Sequence, residues 1–126
     1  MKANEKIKFT QILNNNPTYP VLIKTEGNLD LDNMVKLPTE TPVSELIVPT
    51  RWNEKLLMKG TDKKIYLCIE NIDKISAEEQ EKFIPLIKDK RAGNFKLPNN
   101  VQIVISAKDF DKVAAQIKKF ALFIES

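Results

Sequence analysis

A run of five consecutive apolar residues, Ile65–Ile69 (IYLCI), constrains the fold of this chain more than any other feature. Strands exposed on one face alternate apolar and polar residues, whereas a strand without alternation is covered on both faces. Such strands occur mainly in parallel sheets that carry helices on each side. The run ends abruptly in Glu70 and Asn71. The sequence therefore predicts an α/β protein, a three-layer sandwich whose sheet lies between helices.

Four further apolar runs have the length and composition of strands. The five predicted strands are Tyr19–Lys24, Val43–Val48, Ile65–Ile69, Val101–Ser106 and Phe120–Ile124. Helical segments separate most of them: Glu5–Leu13 has an apolar face, and Pro49-Thr50 opens a short helix that Gly60 ends. Residues 25–42 are predicted as loop, with one helical turn near Leu31–Val35. We expect a single domain over residues 1–126 with a five-stranded, mostly parallel sheet.

Local signals set the boundaries of the later helices. Ser76 and Glu79 form a capping box, so a helix is expected to begin there. Pro85 should kink or divide that helix, and Gly93 is predicted as its C-cap. Asp109 is predicted to cap a helix whose apolar stripe runs from Phe110 to Ile117.

The residue inventory excludes several kinds of site. The chain has no histidine and one cysteine, which removes Ser-His-Asp and Cys-His nucleophiles and any zinc or iron site built from imidazole or clustered thiolates. Cys68 lies within an apolar run and is predicted to be a buried core residue. The net charge of +3 is a mild excess. No apolar stretch approaches the length of a membrane span, and a cytoplasmic protein is expected.

The order of elements resembles the core of an AAA+ ATPase, and is most similar to the MoxR-like branch of these P-loop NTPases. Ile65–Asn71 matches the Walker B strand, and the segment after it, NIDKISAEEQEKFIPLIKDKRAGNFKLP, resembles the helix and loop of that branch. Val101–Ser106 matches the sensor 1 strand, and Lys118-Lys119-Phe120 stands where the family has an Arg-Phe pair. The resemblance implies the strand order 5-1-4-3-2.

The chain departs from the family at each catalytic part. The segment TEGNLD (25–30) replaces the phosphate-binding GxxxxGK[ST] loop and brings acidic residues, among them Glu26. Glu70-Asn71 replaces the Asp-Glu pair that holds magnesium and activates water, and asparagine cannot accept a proton. Ser106 is the relic of sensor 1, and Lys119 stands at the arginine-finger position without the guanidinium fork. No helical lid domain is expected after the fifth strand. ATP hydrolysis is therefore not expected.

Two interpretations of the polar strand ends stay open at this point. Glu70 and Asn71 are typical of a strand that enters a loop, but Glu26, Glu70 and Asp73 could also converge as a weak Mg²⁺ site at the carboxyl edge of the sheet. We expect no cofactor, with weak binding of Mg²⁺ or nucleotide as the alternative.

The function expected from the resemblance is that of a non-catalytic pseudo-ATPase acting through protein–protein interaction. The partner would be an AAA+ ATPase or a second copy of the chain, bound by the faces that carry Lys119 and residues 91–99. One alternative is a nucleotide-binding switch without hydrolysis. Another is a nucleic-acid accessory domain that uses the basic residues of 88–96 and 108–119, with affinity that falls as salt is added. No membrane partner is expected.

Overall fold

A five-stranded parallel sheet forms the centre of the protein. The structure, a computed structural model, describes residues 2–25, 27–48, 51–60 and 62–125. The sheet strands are β1 (Val21–Lys24), β2 (Met34–Lys36), β3 (Ile65–Ile69), β6 (Val101–Ala107) and β7 (Leu122–Glu125), and β4 (Arg91–Ala92) and β5 (Phe95–Lys96) form a separate antiparallel hairpin. The sheet order is β2-β3-β6-β1-β7, and all four pairings are parallel. The predicted α/β class with a five-stranded parallel sheet is confirmed.

The edge strand that pairs with β3 comes from a different segment of the chain than the sequence predicted. The predicted order 5-1-4-3-2 counted Val43–Val48 as its second strand, and the structure puts Met34–Lys36 in that place. The order as stated is therefore not confirmed. Residues Val43–Ile47 instead form a short helix, α2, after Pro42, and within it only Leu46 is buried. The β-branched residues of this segment suggested a strand, but they face solvent rather than a pleated neighbour.

The helices are short and lie on both faces of the sheet. They are α1 (Ala3–Asn15), α2, α3 (Arg51–Met58), α4 (Ala77–Gln80), α5 (Ile84–Asp89) and α6 (Ala115–Phe120), with 3₁₀ turns at Ile72–Lys74, Glu81–Phe83 and Phe110–Lys112. Among the residues placed by the structure, no helix has the length and apolarity needed to cross a bilayer.

Each central strand contributes side chains to two separate cores. On β3, Leu67 belongs to the larger core, which lies under α3, α5 and α6, while Cys68 belongs to the smaller core under α1. All five residues of β3 and all seven of β6 are buried. This two-sided burial explains why the sequence of β3 lacks alternation, as predicted.

The capping signals after β3 act largely as predicted. The Ser76 hydroxyl accepts a hydrogen bond from the Glu79 amide at 3.1 Å, which confirms the N-cap. Pro85 lies in the first turn of α5 and marks the division from α4, across the 3₁₀ turn. The C-cap is not Gly93 but Lys90, whose φ is 54°. Gly93 forms the tip of the β4–β5 hairpin, where a Cβ would collide with the carbonyl oxygen of Ile47.

The last helix is also divided. Asp109 accepts a hydrogen bond from the Asp111 amide at 3.0 Å and so caps a 3₁₀ turn rather than a long helix. The chain becomes extended at Val113, and α6 begins only at Ala115. The fifth sheet strand starts at Leu122, because Phe120 still belongs to α6.

Candidate functional site at the carboxyl edge of the sheet

The polar residues singled out by the sequence lie where the parallel strands end. In the register of the sheet, Lys24 of β1 is opposite Ala107 of β6, and Ile69 of β3 is opposite Ile105. Glu70, Asn71 and Ser106 therefore stand near one another at the carboxyl edge. In open α/β sheets this edge is where ligands bind.

The carboxylate of Glu70 is engaged by two groups of the protein itself. Its Oε2 accepts a hydrogen bond from the Leu29 amide at 2.7 Å, and its Oε1 lies 3.3 Å from the Lys36 ammonium. The Glu70 side chain is only 12% exposed, whereas that of Lys36 is 56% exposed. A backbone amide and a lysine of the protein itself thus contact the two oxygens of this carboxylate.

Ser106 and Asn71 form a structural contact across the same edge. Asn71 adopts a left-handed conformation, with a φ of 56°, which asparagine tolerates better than most residues. Its amide donates a hydrogen bond to the Ser106 hydroxyl at 3.0 Å. Ser106 is completely buried, so its hydroxyl supports the turn after β3 rather than facing a ligand.

Asp73 connects the β3 loop to the β6 loop. Its Oδ2 accepts a hydrogen bond from the Asp109 amide at 3.0 Å. Its Oδ1 is buried, and no described residue gives it a hydrogen bond. A cleft of about 460 Å³ opens beside it, lined by Lys24, Asp73 and residues 108–112. The lining mixes acidic and basic side chains, so the cleft does not select one sign of ligand charge.

The predicted cation site of Glu26, Glu70 and Asp73 stays a prediction, because one of its three carboxylates lies outside the residues that the structure places. Glu26 lies outside the described residues, and Glu70 and Asp73 accept hydrogen bonds from amides of two different loops. Within the described ranges 2–25, 27–48, 51–60 and 62–125, no three acidic or cysteine side chains are grouped as a metal would require. A site that includes Glu26 stays a prediction.

Lys119 lies away from this edge. It is exposed on α6, with its ammonium 5.6 Å from the centre of the Phe120 ring, and the Lys88 ammonium lies 5.3 Å from the same ring. The helix leads into the start of β7, where the Leu122 amide bonds to the Pro20 carbonyl. Lys119 is thus near the amino edge of the sheet, and the structure does not bring it to Glu70 or Ser106.

Cys68 is a neutral core residue. Burial, reinforced by the charge of Glu70 and opposed by Lys36, raises the pKa of the thiol to about 12. Because the thiolate is the reactive form of cysteine, this thiol is not a nucleophile at neutral pH. The sequence predicted this role correctly.

The loop from β1 to β2 supplies partners that the sequence analysis missed. Between Thr25 and Asn33, leaving out position 26, the described residues form no helix. Leu29 and Leu31 are buried in the smaller core, and the Lys6 ammonium lies 3.2 Å from the Asp32 carboxylate. The alternation Leu29-Asp30-Leu31-Asp32 could have indicated an extended segment with one buried side.

Comparisons with known proteins support the fold alone. No protein-family model matches the chain, and no curated protein is similar to it in sequence. Among solved structures, it is similar to a DNA polymerase III gamma subunit-related protein from Thermotoga maritima, with a TM-score of 0.58 and 8% sequence identity. The similarity covers 94% of this chain and 44% of that protein, so the chain spans less than half of its neighbour's length. At 8% identity this likeness shows a shared α/β fold and carries no statement about function.

Proposed function

We propose that this protein is a non-catalytic AAA+-like domain, a pseudo-ATPase of the MoxR-like branch, that acts by binding protein. The observation that carries the proposal is the internal engagement of Glu70 by the Leu29 amide and the Lys36 ammonium. A carboxylate that has an amide and a cation from its own chain has little to gain from binding magnesium.

The β1–β2 loop, which stands where this fold class has its phosphate-binding loop, supports the same conclusion. Phosphate sites of this fold class use a run of backbone amides at the start of a helix. Here the described part of the β1–β2 loop has no helix, the Leu29 amide bonds to Glu70, and the Leu31 amide bonds to the Met34 sulfur at 3.0 Å. The sequence also lacks the Gly-Lys-Thr/Ser that would complete the loop.

The groups that would act on water or on a γ-phosphate are also missing or engaged. Asn71 cannot serve as a general base, and the Ser106 hydroxyl is buried against the Asn71 amide. Hydrolysis would need at least one of these positions to be chemically active and accessible.

Exposed apolar side chains support a role in protein binding. Met58 is 87% exposed, Val48 is 65% exposed and Ile47 is 54% exposed. Ile47 and Val48 are neighbours at the end of α2, so they form a patch rather than isolated exposures. Apolar patches of this kind often mark sites of protein contact.

Titration calorimetry with ATP and with ADP, each with Mg²⁺ at millimolar concentration, tests the absence of a nucleotide site. We expect no heat of binding for the wild-type protein. Lys36→Met is the informative variant, because it removes the cation from Glu70 while leaving the fold's core intact. A response to Mg²⁺ in this variant alone would show that Lys36 excludes the ion, whereas micromolar nucleotide binding by the wild type would contradict the proposal.

The protein-binding half of the proposal needs a separate measurement. Sedimentation velocity over a range of concentrations tests self-association, and reconstitution with purified AAA+ proteins of the same cell tests the other partner class. We expect a complex in one of the two experiments. If neither experiment detects a complex, the proposed protein-binding role is contradicted.

A further inference from the structure

The β4–β5 hairpin brings like charges together on the protein surface. Arg91 and Lys96 are directly opposite each other in the antiparallel register, and both are exposed. Like charges at paired positions destabilise a two-stranded ladder. Lys90, which precedes the hairpin, holds a left-handed conformation that lysine rarely adopts. The hairpin therefore combines a charge conflict with a local backbone strain.

No carboxylate in the described part of the chain relieves this conflict. The ion pairs found there join Lys6 to Asp30 and Asp32, Lys24 to Glu125, and Lys36 to Glu70. Burial and then the charge of Lys96 lower the pKa of Lys90, and burial and then Lys90 lower the pKa of Lys64. Lys90 and Lys96 thus add positive charge beside Arg91, whereas the Lys64 ammonium is directed to the Leu13 carbonyl of α1 at 3.1 Å.

An apolar groove adjoins the tip of the hairpin. It has a volume of about 370 Å³ and is lined by Ile47, Val48, Gly93, Asn94 and Phe95. Gly93 lies so close to the Ile47 carbonyl that a Cβ would collide with it, so the hairpin tip and the end of α2 form two sides of the groove. A pocket for an apolar side chain therefore lies at the tip of the same hairpin that carries Arg91 and Lys96.

We propose that the groove and the basic hairpin bind an acidic, apolar segment of a partner protein. An aliphatic or aromatic side chain of that segment fills the groove beside Ile47, and its carboxylates pair with Arg91 and Lys96. Charge complementarity requires the segment to be acidic, because the hairpin is basic. The guanidinium of Arg91 can bind a carboxylate through two parallel hydrogen bonds. This inference rests on the proposed protein-binding function and specifies the chemistry of the partner.

A nucleic acid fits the surface less well than such a segment. Binding of single strands relies on aromatic side chains on which bases stack. The groove offers exposed aliphatic side chains at Ile47 and Val48, and its one aromatic ring, Phe95, is half-buried. An acidic protein segment uses both the apolar and the cationic part of the surface.

Selection of a random peptide library displayed on phage against the immobilised full chain provides the test. We expect enrichment of peptides that combine Asp or Glu with large apolar residues. Synthetic copies of the enriched peptides should lose at least about tenfold in affinity for Arg91→Glu/Lys96→Glu, and a comparable amount for Ile47→Ser. The matched control is Lys2→Glu/Lys8→Glu, at the N-cap and in the second turn of α1, which reverses two exposed charges on the opposite face of the sheet and should bind as the wild type does.

Several outcomes would overturn the inference. No enrichment, enriched peptides without acidic residues, or equal losses in the hairpin variant and the α1 control would each contradict it. So would tight binding of a 20-nucleotide DNA, roughly one OB-fold site or more in length, that only the hairpin variant loses. Thermal melting guards against unfolding, because the single variant Arg91→Glu should melt no lower than the wild type and still lose affinity.

The failures of this inference and of the proposed function are distinguishable. Peptides that bind equally well to the hairpin variants would place the partner on another face and leave the protein-binding function standing. Micromolar binding of Mg-ATP by the wild type would contradict the pseudo-ATPase proposal, whatever the peptides show.

Discussion

The carboxyl edge of the sheet and the basic hairpin treat their charged groups in opposite ways. At the carboxyl edge, Glu70 is paired with Lys36 and with a backbone amide, and Asp73 accepts an amide of the neighbouring loop. On the hairpin, Arg91 faces Lys96 and neither has a carboxylate partner in the part of the chain that the structure describes.

The difference shows where a ligand can still contribute binding energy. A ligand at the carboxyl edge must displace contacts that the protein already makes, so its own contacts give little net gain. A ligand at the hairpin supplies the countercharge that the folded chain lacks. At the carboxyl edge Glu70 is therefore already paired, whereas the hairpin still offers cations without a carboxylate partner among the described residues.

Substitution of Gln80 should disturb the carboxyl edge most, because this side chain joins two of its loops. It is completely buried, donates hydrogen bonds to the carbonyls of Ile75 and Lys112, and accepts one from the Ala114 amide. Gln80→Ala leaves these three backbone groups without their partner and should lower the free energy of unfolding by about 3–5 kcal/mol. Urea unfolding measures the change.

The neighbouring exposed position gives the control for this change. Glu81→Ala should shift the unfolding free energy by less than about 0.5 kcal/mol. A loss below about 1 kcal/mol for Gln80→Ala would mean that water replaces the side chain and that the two loops are not held together by it.

Glu70→Ala tests whether the internal pair at the edge stabilises the fold. The substitution leaves the Leu29 amide without an acceptor and removes the partner of Lys36, so we expect a loss of about 1–3 kcal/mol. The control is Glu125→Ala, because Glu125 pairs with Lys24 at 3.6 Å but its side chain is 63% exposed. That loss should be below about 0.5 kcal/mol. Equal losses of stability for Glu70→Ala and Glu125→Ala would contradict the conclusion that the buried pair stabilises the fold more than the exposed one.

The pH dependence of the free energy of unfolding tests how well Cys68 is buried beside the same edge. The thiol is neutral in the folded state, with a pKa raised from 9.0 to about 12. Its contribution to stability is therefore complete below pH 9.0 and is lost as the pH rises toward 12, because the unfolded chain ionises first. Between about pH 7 and pH 10 the wild type should lose about 1.4 kcal/mol more than Cys68→Val.

Urea unfolding under reducing conditions measures this difference. Tyr66, Lys64 and Lys90 titrate in both proteins, so their contributions largely cancel in the comparison. Parallel pH profiles for the two proteins would show that the thiol is not shielded as the structure indicates.

Arg91→Glu probes the basic hairpin and has the smallest expected effect. It converts the like-charge pair with Lys96 into an opposite-charge pair, so the free energy of unfolding should rise by about 0.5 kcal/mol. The rise should disappear at high salt, because both side chains are exposed. A clear loss of stability would mean that Arg91 stabilises the hairpin and that its pairing with Lys96 is not destabilising.

Sequence reasoning predicted the centre of this fold better than its edges. Ile65–Ile69 matches β3, and the predicted Val101–Ser106 falls one residue short of β6. Both strands are buried throughout, so every position carries the apolar signal. The edge strand Met34–Lys36 has only Val35 fully buried, and three residues are too few for a periodic pattern.

The candidate site was predictable in location but not in its contacts. The acid and amide after the Ile65–Ile69 run indicated that Glu70 and Asn71 would stand at the carboxyl edge, since parallel strands end on one side. The partners of Glu70 depend on the path of the β1–β2 loop, which no short-range signal specifies. For the same reason, the pairing of Arg91 with Lys96 could not be anticipated once Gly93 had been taken for a helix cap.

The position of β1 between β6 and β7 has a consequence for synthesis on the ribosome. Val21 pairs with Val104 on one side and with Leu122 on the other, so β1 has no neighbour until most of the chain has been made. The buried residues Val21–Ile23 must therefore remain unpaired while translation continues, during which they are available to chaperones and to aggregation. β1 can gain its first neighbour only after residues 101–107 have left the exit tunnel, and the sheet is complete only after residues 122–125 follow.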